Sequence, residues 1–266
     1  MTLKEKSLFI FDLDGVIYLG DEPIPGAKEV LDELVERKKK VYYLTNNSTR
    51  TRKQFQQKLL KMGIQAEERQ IITSAHAAAQ YLQQRHPKAM VYIIGEEGLI
   101  QEFSASGFHV LSGDVSDPAI EYVVVGLDRD FTFQMLTVAL IAISKGAKFI
   151  ATNDDPTLPT EHGLLPGAGT LVSALTTAVG HSPIITIGKP NPFMIEFILK
   201  QENADPSMAI IVGDRYITDI KAGMNAQIGT ILVKTGTGLH ELKQISPNEP
   251  KPDLVLDSVA DLLRYL

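Results

Sequence analysis

The feature that most constrains the fold of this chain is a series of short apolar runs in which hydrophobic residues do not alternate with polar ones. The 266-residue sequence contains such runs at Leu8–Phe11, Val41–Leu44, Val91–Ile94, Tyr122–Val125, Lys148–Ala151, Ile184–Ile187, Ala209–Val212 and Thr230–Val233. A strand that is apolar at nearly every position is buried on both faces, which is typical of a parallel sheet. The runs therefore predict parallel strands that are covered by helices.

Helical patterns lie between these strands, as a parallel sheet requires. One begins near Pro25, a second covers about 51–62, and a third covers about 132–146. Proline near a helix start and glycine after its end are the usual boundaries, and both occur here. Alternation of strands and helices predicts an α/β fold. Because the strands are numerous for one small sheet, we expect a second α/β unit at roughly 80–181.

Composition and charge exclude several classes of function. The formal net charge is -6, without the basic surface expected of a nucleic-acid binder. The absence of cysteine excludes disulfides, thiolate metal sites and a cysteine nucleophile. The N-terminus lacks the apolar segment of a signal peptide, and the apolar stretch 138–143 is much shorter than a membrane span. We expect a cytoplasmic protein that binds neither nucleic acid nor membrane.

Polar residues directly follow four of the predicted strands. They are Asp12 and Asp14 after the first strand, Thr45, Asn46 and Asn47 after the second, Lys189 after the sixth, and Asp214 and Asp219 after the seventh. In an open parallel sheet, ligands bind beyond the carboxyl ends of the strands. If these strands share one sheet, all of the listed groups lie at the same edge.

The residue types at this edge predict a cation and an oxyanion. Four carboxylates face one lysine, and crowded carboxylates must protonate, separate or bind a cation. Carboxylate oxygens without histidine or cysteine suit a hard ion such as Mg²⁺. Thr45, Asn46 and Lys189 could hold phosphate oxygens. Asp12 is ionised at neutral pH and could act as a nucleophile, and Asp14 could serve as the acid and base.

The same segments resemble the four motifs of the haloacid dehalogenase superfamily of phosphatases. Asp12 to Val16 resembles motif I, Thr45 to Asn47 motif II, Gly188 to Pro190 motif III, and Gly213 to Asp219 motif IV. One such tetrapeptide is weak evidence, but four in the same order are strong evidence. The long gap between motifs II and III resembles the 4-nitrophenylphosphatase-like and sugar-phosphatase subfamily, which inserts a large α/β cap there.

This resemblance implies a Rossmann-like parallel-sheet core formed by residues 1–80 and 182–266, with an α/β cap at 81–181 that determines substrate specificity. It implies that the transferred phosphate forms an aspartyl-phosphate on Asp12 with Mg²⁺ as cofactor. The implied metal ligands are Asp12, Asp214 and the main-chain carbonyl of Asp14, with Asp219 binding the metal directly or supporting it through water. The implied phosphate ligands are Thr45, Asn46, Asn47 and Lys189. Because relatives often form dimers through the cap, a homodimer is one possible assembly.

In the cap, Asn153, Asp155 and Leu158 are the candidates for contact with the substrate. They lie in a segment with two prolines that we expect to be a loop. His162 stands where relatives often carry arginine. The six histidines show no metal-ligand spacing, and we expect His76 to be solvated or to cap a helix.

Other interpretations remain at this stage. Each aspartate could be a turn or cap residue, and Asp219 in particular could cap the helix that follows it. A phosphomutase, a dehalogenase of the same superfamily and a non-enzymatic phosphoacceptor domain would use similar groups. The substrate could be a sugar phosphate, an acid-sugar phosphate, phosphoglycolate, a nucleotide, an aryl phosphate or pyridoxal phosphate.

Overall fold

The computed structural model describes residues 3–113, 119–160 and 163–266. The chain forms two compact units. The first unit consists of Met1–Thr45, Phe55–Ile72 and Lys189–Leu266, and the second unit consists of Asn46–Gln54 and Thr73–Gly188.

The helices and strands alternate along most of the chain. The strands are β1 (Leu8–Asp12), β2 (Tyr18–Leu19), β3 (Glu22–Pro23), β4 (Lys40–Thr45), β5 (Ile71–Thr73), β6 (Met90–Ile94), β7 (His109–Ser112), β8 (Tyr122–Val125), β9 (Lys148–Ala151), β10 (Thr157–Thr160), β11 (Gly163–Pro166), β12 (Ile185–Thr186), β13 (Ala209–Gly213), β14 (Gly229–Val233) and β15 (Leu254–Leu256). The α-helices are α1 (Ala27–Glu36), α2 (Arg52–Lys61), α3 (Ser74–Gln83), α4 (Glu97–Ala105), α5 (Phe133–Ser144), α6 (Ala168–Val179), α7 (Phe193–Glu202), α8 (Lys221–Asn225) and α9 (Gly238–Gln244).

The main sheet of the first unit has the strand order β15-β14-β13-β1-β4-β5. Strand β1 lies at its centre and pairs in parallel with β13 on one side and β4 on the other. All five residues of β1 are buried, which explains why its sequence is apolar up to Asp12. This order brings the carboxyl ends of β4, β1, β13 and β14 next to one another at one edge of the sheet.

Helix α1 shows how the first unit forms its core. Its buried residues Ala27, Val30, Leu31 and Leu34 follow the three-and-four spacing of one helix face. They belong to the same buried cluster as Phe9 and other side chains of the sheet. At about 25 cal/mol per Å² of apolar area removed from water, such side chains provide most of the stabilising free energy of the unit.

The second unit is a separate α/β structure with its own core. Its strands have the order β12-β9-β8-β6-β7, and every neighbouring pair is parallel. Helix α5 begins after Thr132, whose side chain accepts a hydrogen bond from the backbone N–H of Met135. The buried side chains of α5 and α6 form a cluster with those of β8 and β9.

The predicted fold class is confirmed. All eight apolar runs are strands, although the run at 184–187 is shortened to β12, and the three predicted helices are α1, α2 and α5. The sequence analysis did not predict β2, β3, β5, β7, β10, β11 and β15. These strands are short or belong to small hairpins and sheet edges. Strand β5 is fully buried but has only three residues, and others such as β7 and β11 have few buried positions, so the apolar signal is weak.

The two units divide the chain at other residues than the sequence analysis expected. Residues 46–54, 73–80 and 182–188, which the sequence analysis assigned to the core, belong to the second unit. The expectation for His76 was wrong, because this side chain is buried in α3 and pairs with Glu102. Among the described residues, no helix is both long enough and apolar enough to span a membrane.

Candidate active site

The candidate site begins where β1 ends. Asp12 is the last residue of the strand and is buried, whereas the side chain of Asp14 is exposed. Directly after Asp14 the chain turns sharply, and Gly15 adopts a φ of 84°, in the left-handed region that favours glycine. The backbone N–H of Gly15 donates to the carbonyl of Tyr18 at 2.8 Å, which closes the turn. The sequence D-L-D-G thus presents two carboxylates in different environments.

A buried lysine, Lys189 of motif III, contacts residues of motifs I and IV. Lys189, whose peptide bond to Pro190 is cis, is only 3% exposed. Its ammonium group donates a hydrogen bond to Oδ1 of Asp12 and lies 2.6 Å from Oδ1 of Asp219. The pair with Asp219 is a close ion pair without the alignment of a hydrogen bond. Motifs I, III and IV therefore meet at one point of the first unit.

The residues after β13 form the acidic side of this cluster. Asp214 follows the strand, and a π-helical turn over Tyr216–Ile220 then carries Asp219 back toward it. Oδ2 of Asp219 accepts a hydrogen bond from the backbone N–H of Arg215 at 3.0 Å. A Cβ atom on Gly213 would lie 2.1 Å from that of Asp219, so only glycine permits this approach. Asp219 therefore holds the start of this turn through the backbone of Arg215 as well as having a place in the cluster, but it does not cap the helix α8 that follows.

Three carboxylates in this cluster could hold a metal ion. Asp12, Asp214 and Asp219 each offer an oxygen within 4.8 Å of the others, and all three side chains are buried. Oδ1 of Asp214 is buried and has no hydrogen-bond partner among the described residues. A buried carboxylate oxygen without a donor is unfavourable, and a cation would satisfy it. The donor set consists of hard oxygen atoms and therefore fits Mg²⁺.

Burial and neighbouring carboxylates raise the pKa values of Asp12 and Asp214, and Lys189 opposes these shifts only in part. Burial raises the pKa of Asp12 well above its ordinary value, and Asp219 and Asp214 raise it further, while Lys189 opposes the shift. Burial, followed by the charge of Asp219, raises the pKa of Asp214 to about 7. Burial acts to lower the pKa of Lys189, but the charges of Asp12 and Asp219 outweigh it and raise that pKa. One lysine does not compensate three buried carboxylates.

The residues of the predicted second motif divide between the two units. Thr45 is buried at the end of β4 in the first unit. Asn46 and Asn47 belong to the second unit, where the side-chain amide of Asn46 donates to Oδ2 of Asp155 at 2.9 Å. Oδ1 of Asn47 accepts hydrogen bonds from the backbone N–H and the hydroxyl of Thr49, both at 2.8 Å.

The candidates for substrate contact in the second unit have different surroundings. Asn153 is buried, and its amide donates to the carbonyl of Asn46 at 2.9 Å while its Oδ1 accepts from the backbone N–H of Asp155. Its side chain is therefore engaged in holding the backbone. Leu158 is half-buried and lies on strand β10 opposite Leu165 of β11, so the expected loop is in part a β-hairpin. His162 lies outside the described residues.

Comparison with known proteins identifies the family. Residues 9–109 match the family model of the haloacid dehalogenase-like hydrolases, and residues 186–262 match a second, HAD-hydrolase-like family model. The chain is 40% identical over 264 residues to the 5′-nucleotidase YutF of Bacillus subtilis, an alignment that covers 99% of this chain and 100% of that protein. The chain belongs to the haloacid dehalogenase-like hydrolases.

Other relatives of this hydrolase are phosphatases by name. It is 38% identical to an acid sugar phosphatase of Staphylococcus epidermidis over 255 residues, which cover 95% of this chain and 96% of that protein. The crystal structure of a 4-nitrophenylphosphatase from Thermotoga maritima superposes with a TM-score of 0.90 at 32% identity and covers 98% of each chain. This haloacid dehalogenase-like hydrolase is therefore a phosphoric monoester hydrolase.

The sequence analysis overlooked one segment that contacts the acidic cluster of this hydrolase. Strand β14 lies beside β13, and the segment that follows it contains Thr235, Gly236 and Thr237. Thr237 donates two hydrogen bonds to Asp214. The signal was available, because this segment also follows a predicted strand. Threonine and glycine after a strand are, however, typical of an ordinary turn, so the residue types alone do not mark a site.

Proposed function

We propose that this phosphatase hydrolyses small phosphomonoesters with Mg²⁺ and forms a transient aspartyl-phosphate on Asp12. The observation that supports the proposal is the buried group of Asp12, Asp214 and Asp219 around Lys189, in which Oδ1 of Asp214 has no donor among the described residues. Three clustered carboxylates suit a divalent cation, and a single ammonium group beside them suits a phosphate oxygen.

The chemistry follows from the different environments of the two aspartates of the first motif. A carboxylate oxygen of Asp12 would attack phosphorus, which forms the acyl-phosphate bond and breaks the ester bond to the leaving group. Asp14 would give its proton to the departing oxygen. It would then take a proton from water as that water attacks phosphorus, which releases phosphate and restores Asp12. The exposed position of Asp14 suits a group that must meet both the leaving group and water.

Asp12, Asp214 and Asp219 would hold Mg²⁺, with the main-chain carbonyl of Asp14 as the further ligand that the resemblance implies. The cation would neutralise negative charge on the phosphoryl group and would favour the ionised carboxylates. Thr45 and Lys189 would bind phosphoryl oxygens, and Asn46 and Asn47 remain predictions for the same role. Within the site, Lys189 also keeps the Asp12 carboxylate in place through its hydrogen bond.

The names of the relatives support a small phosphomonoester as substrate. One is a 5′-nucleotidase, another an acid sugar phosphatase and a third a 4-nitrophenylphosphatase. Nucleotides, sugar or acid-sugar phosphates, phosphoglycolate and aryl phosphates are therefore the compounds to test. We propose that the second unit reads the leaving group, with Asn153, Asp155 and Leu158 as its candidates.

The proposal is tested by measuring phosphate release from such a panel with Mg²⁺ and with a strong chelator. We expect repeated turnover with Mg²⁺, none with the chelator, and recovery when Mg²⁺ is restored. Asp12→Asn preserves the shape of the side chain but removes the attacking charge, so phosphate release should fall by at least about 10³-fold. A radiolabelled phosphoryl group should remain on the wild-type protein after an acid quench and be absent from Asp12→Asn.

Several results would contradict the proposal. A folded Asp12→Asn protein with near wild-type turnover would exclude Asp12 as the nucleophile. Full activity in the chelator would exclude the metal. Transfer of the phosphoryl group to another position of the substrate, without phosphate release, would favour a phosphomutase. A single phosphorylation without turnover would favour a phosphoacceptor domain.

A further inference from the structure

The two carboxylate oxygens of Asp214 have different surroundings. Oδ2 accepts a hydrogen bond from the backbone N–H of Thr237 at 2.8 Å and another from its hydroxyl at 3.0 Å. Oδ1 is the buried atom that has no hydrogen-bond partner among the described residues. Because one residue holds Oδ2 with two donors, the carboxylate cannot rotate freely, and Oδ1 is the oxygen left for a cation.

Two glycines form the walls of the slot that holds this carboxylate. A Cβ atom added to Gly15 would lie 2.5 Å from Oδ2 of Asp214, and one added to Gly236 would lie 2.2 Å from it. Both glycines have positive φ, 84° and 56°, which is unfavourable for other residues. The close packing is therefore available only to this pair of glycines, one from the turn after β1 and one from the segment after β14.

A hydrogen bond connects the two walls. The hydroxyl of Thr235 donates to the carbonyl of Gly15 at 2.5 Å. The segment after β14 thus contacts both the turn that contains Asp14 and the carboxylate of Asp214. It belongs to the same unit as these residues, and its strand is the direct neighbour of β13.

Thr237 directly precedes α9, at the position where a threonine can cap a helix, but it does not act as a cap here. The side chain of Thr237 makes no capping hydrogen bond to α9, and its backbone has helical rather than extended angles. A capping threonine normally has extended backbone and accepts a hydrogen bond from the helix. The hydroxyl of Thr237 instead donates to Asp214, so its contact with the acidic cluster is the feature to explain.

We infer that Thr237 is a positioning residue for the metal site: its two hydrogen bonds to Oδ2 orient Asp214 so that Oδ1 is available to the divalent cation. The inference rests on the proposed function for the presence of that cation. Groups that hydrogen-bond to metal-binding side chains fix their orientation, and their loss typically weakens metal affinity by about 10–100-fold. The hydroxyl contributes one of the two bonds and can be removed without changing the backbone.

The test measures Mg²⁺ binding by isothermal titration calorimetry in metal-free, substrate-free protein. Thr237→Val removes the hydroxyl at nearly constant shape, and we expect its Kd for Mg²⁺ to rise by about 10-fold or more. Thr237→Ser keeps the hydroxyl, and its Kd for Mg²⁺ should remain within about 3-fold of the wild-type value. The matched control is Thr177→Val in α6, where the hydroxyl donates to the carbonyl of Ser173 and the affinity should not change.

Activity provides the second measurement. In Thr237→Val, the Mg²⁺ concentration for half-maximal phosphate release should rise with the Kd, while kcat at saturating Mg²⁺ should recover most of the wild-type value. Equal Mg²⁺ affinity of folded Thr237→Val and wild type would overturn the inference, as would equal weakening in Thr237→Ser and Thr237→Val. If wild-type protein itself bound no divalent cation, the proposed function would fail, and the inference would fail with it.

Discussion

At the scale of single residues, Lys189 compensates part of the buried negative charge of the acidic cluster. Its ammonium group is buried between Asp12 and Asp219, and Asp214 lies in the same group of carboxylates. A buried charge without a partner is much more unfavourable than a buried pair. In the absence of a metal ion, the lysine is the main compensation for the carboxylates.

Lys189→Met therefore should destabilise the metal-free protein and abolish phosphate release. Removal of one partner from a buried ion pair typically lowers the free energy of unfolding by about 3–5 kcal/mol. Urea unfolding in a chelator measures this loss, and saturating Mg²⁺ should reduce it because the cation replaces the missing charge.

The matched control for this prediction is Lys28→Met in α1. Lys28 pairs with Asp32, but both side chains are about half exposed, at 47% and 53%. Water screens an exposed pair and leaves it with little effect on stability, so the control should unfold nearly as the wild type does. A Lys189→Met protein that unfolds like this control would show that the lysine does not stabilise the cluster.

At the scale of secondary-structure elements, a buried ionic group links the helices of the second unit. Oε2 of Glu102 on α4 lies 3.0 Å from Nδ1 of His76 on α3. Oε1 of Glu102 accepts a hydrogen bond from Nε of Arg52 at 2.9 Å. Burial acts to raise the pKa of Glu102, but the hydrogen bonds and charges of His76 and Arg52 outweigh it and place the pKa below its ordinary value of 4.5.

Glu102→Gln should therefore destabilise the second unit at neutral pH and have little effect in acid. A carboxylate whose pKa is lower in the folded state stabilises the fold above its ordinary pKa, and this contribution disappears as the pH falls through the lowered value. We expect a loss of about 3 kcal/mol in the free energy of unfolding at pH 7, and a smaller difference from wild type below about pH 4.

Denaturant unfolding of both proteins between pH 3 and pH 7 measures this difference. Glu97→Gln is the matched control, because Glu97 lies on the same helix but is exposed. Its effect should stay within about 1 kcal/mol at every pH. A constant difference between Glu102→Gln and wild type over the whole pH range would contradict the ionic origin of the stabilisation.

At the scale of the whole molecule, the proposed function assigns different parts of the substrate to the two units. In the proposed mechanism, the acidic cluster and Lys189 of the first unit would act on the phosphoryl group, which all phosphomonoesters share. These groups carry no preference for the leaving group. The second unit has its own sheet and core, and its β10–β11 hairpin places Leu158 and Leu165 side by side on one face. We therefore expect specificity to depend on this unit.

Leu158→His should change the order of substrates without changing the metal requirement. One altered contact in a pocket typically corresponds to about 1–3 kcal/mol of discrimination, or about 10–200-fold in kcat/KM. The measurement is kcat/KM over the panel of phosphomonoesters, together with the Mg²⁺ dependence for each protein.

Leu164→His provides the control, since successive residues of a strand point to opposite faces and Leu164 adjoins Leu165. Its side chain is already 70% exposed, so the fold should accept histidine. The control should preserve the wild-type order of substrates. An unchanged order in Leu158→His, or the same change in both variants, would exclude a specific role for Leu158.

The sequence by itself determined the fold class, the family and the main chemical groups of the candidate site. Strands such as β1 and β13 are buried on both faces, so their apolar runs are readable without any knowledge of their neighbours. Asp12 and Asp214 directly follow such strands, and the carboxyl ends of parallel strands are where sites form. Residues whose position depends on a few adjacent amino acids are therefore predictable.

Only the tertiary structure decided which side chains support that site and which side chains are engaged elsewhere. Thr237 meets Asp214 from 23 positions away, Asn46 binds Asp155 from 109 positions away, and Glu102 meets His76 from 26 positions away. Threonine, asparagine and histidine occur in many environments, so their residue type does not reveal a distant partner. These contacts depend on strand order and helix packing, which set distances that no local pattern contains.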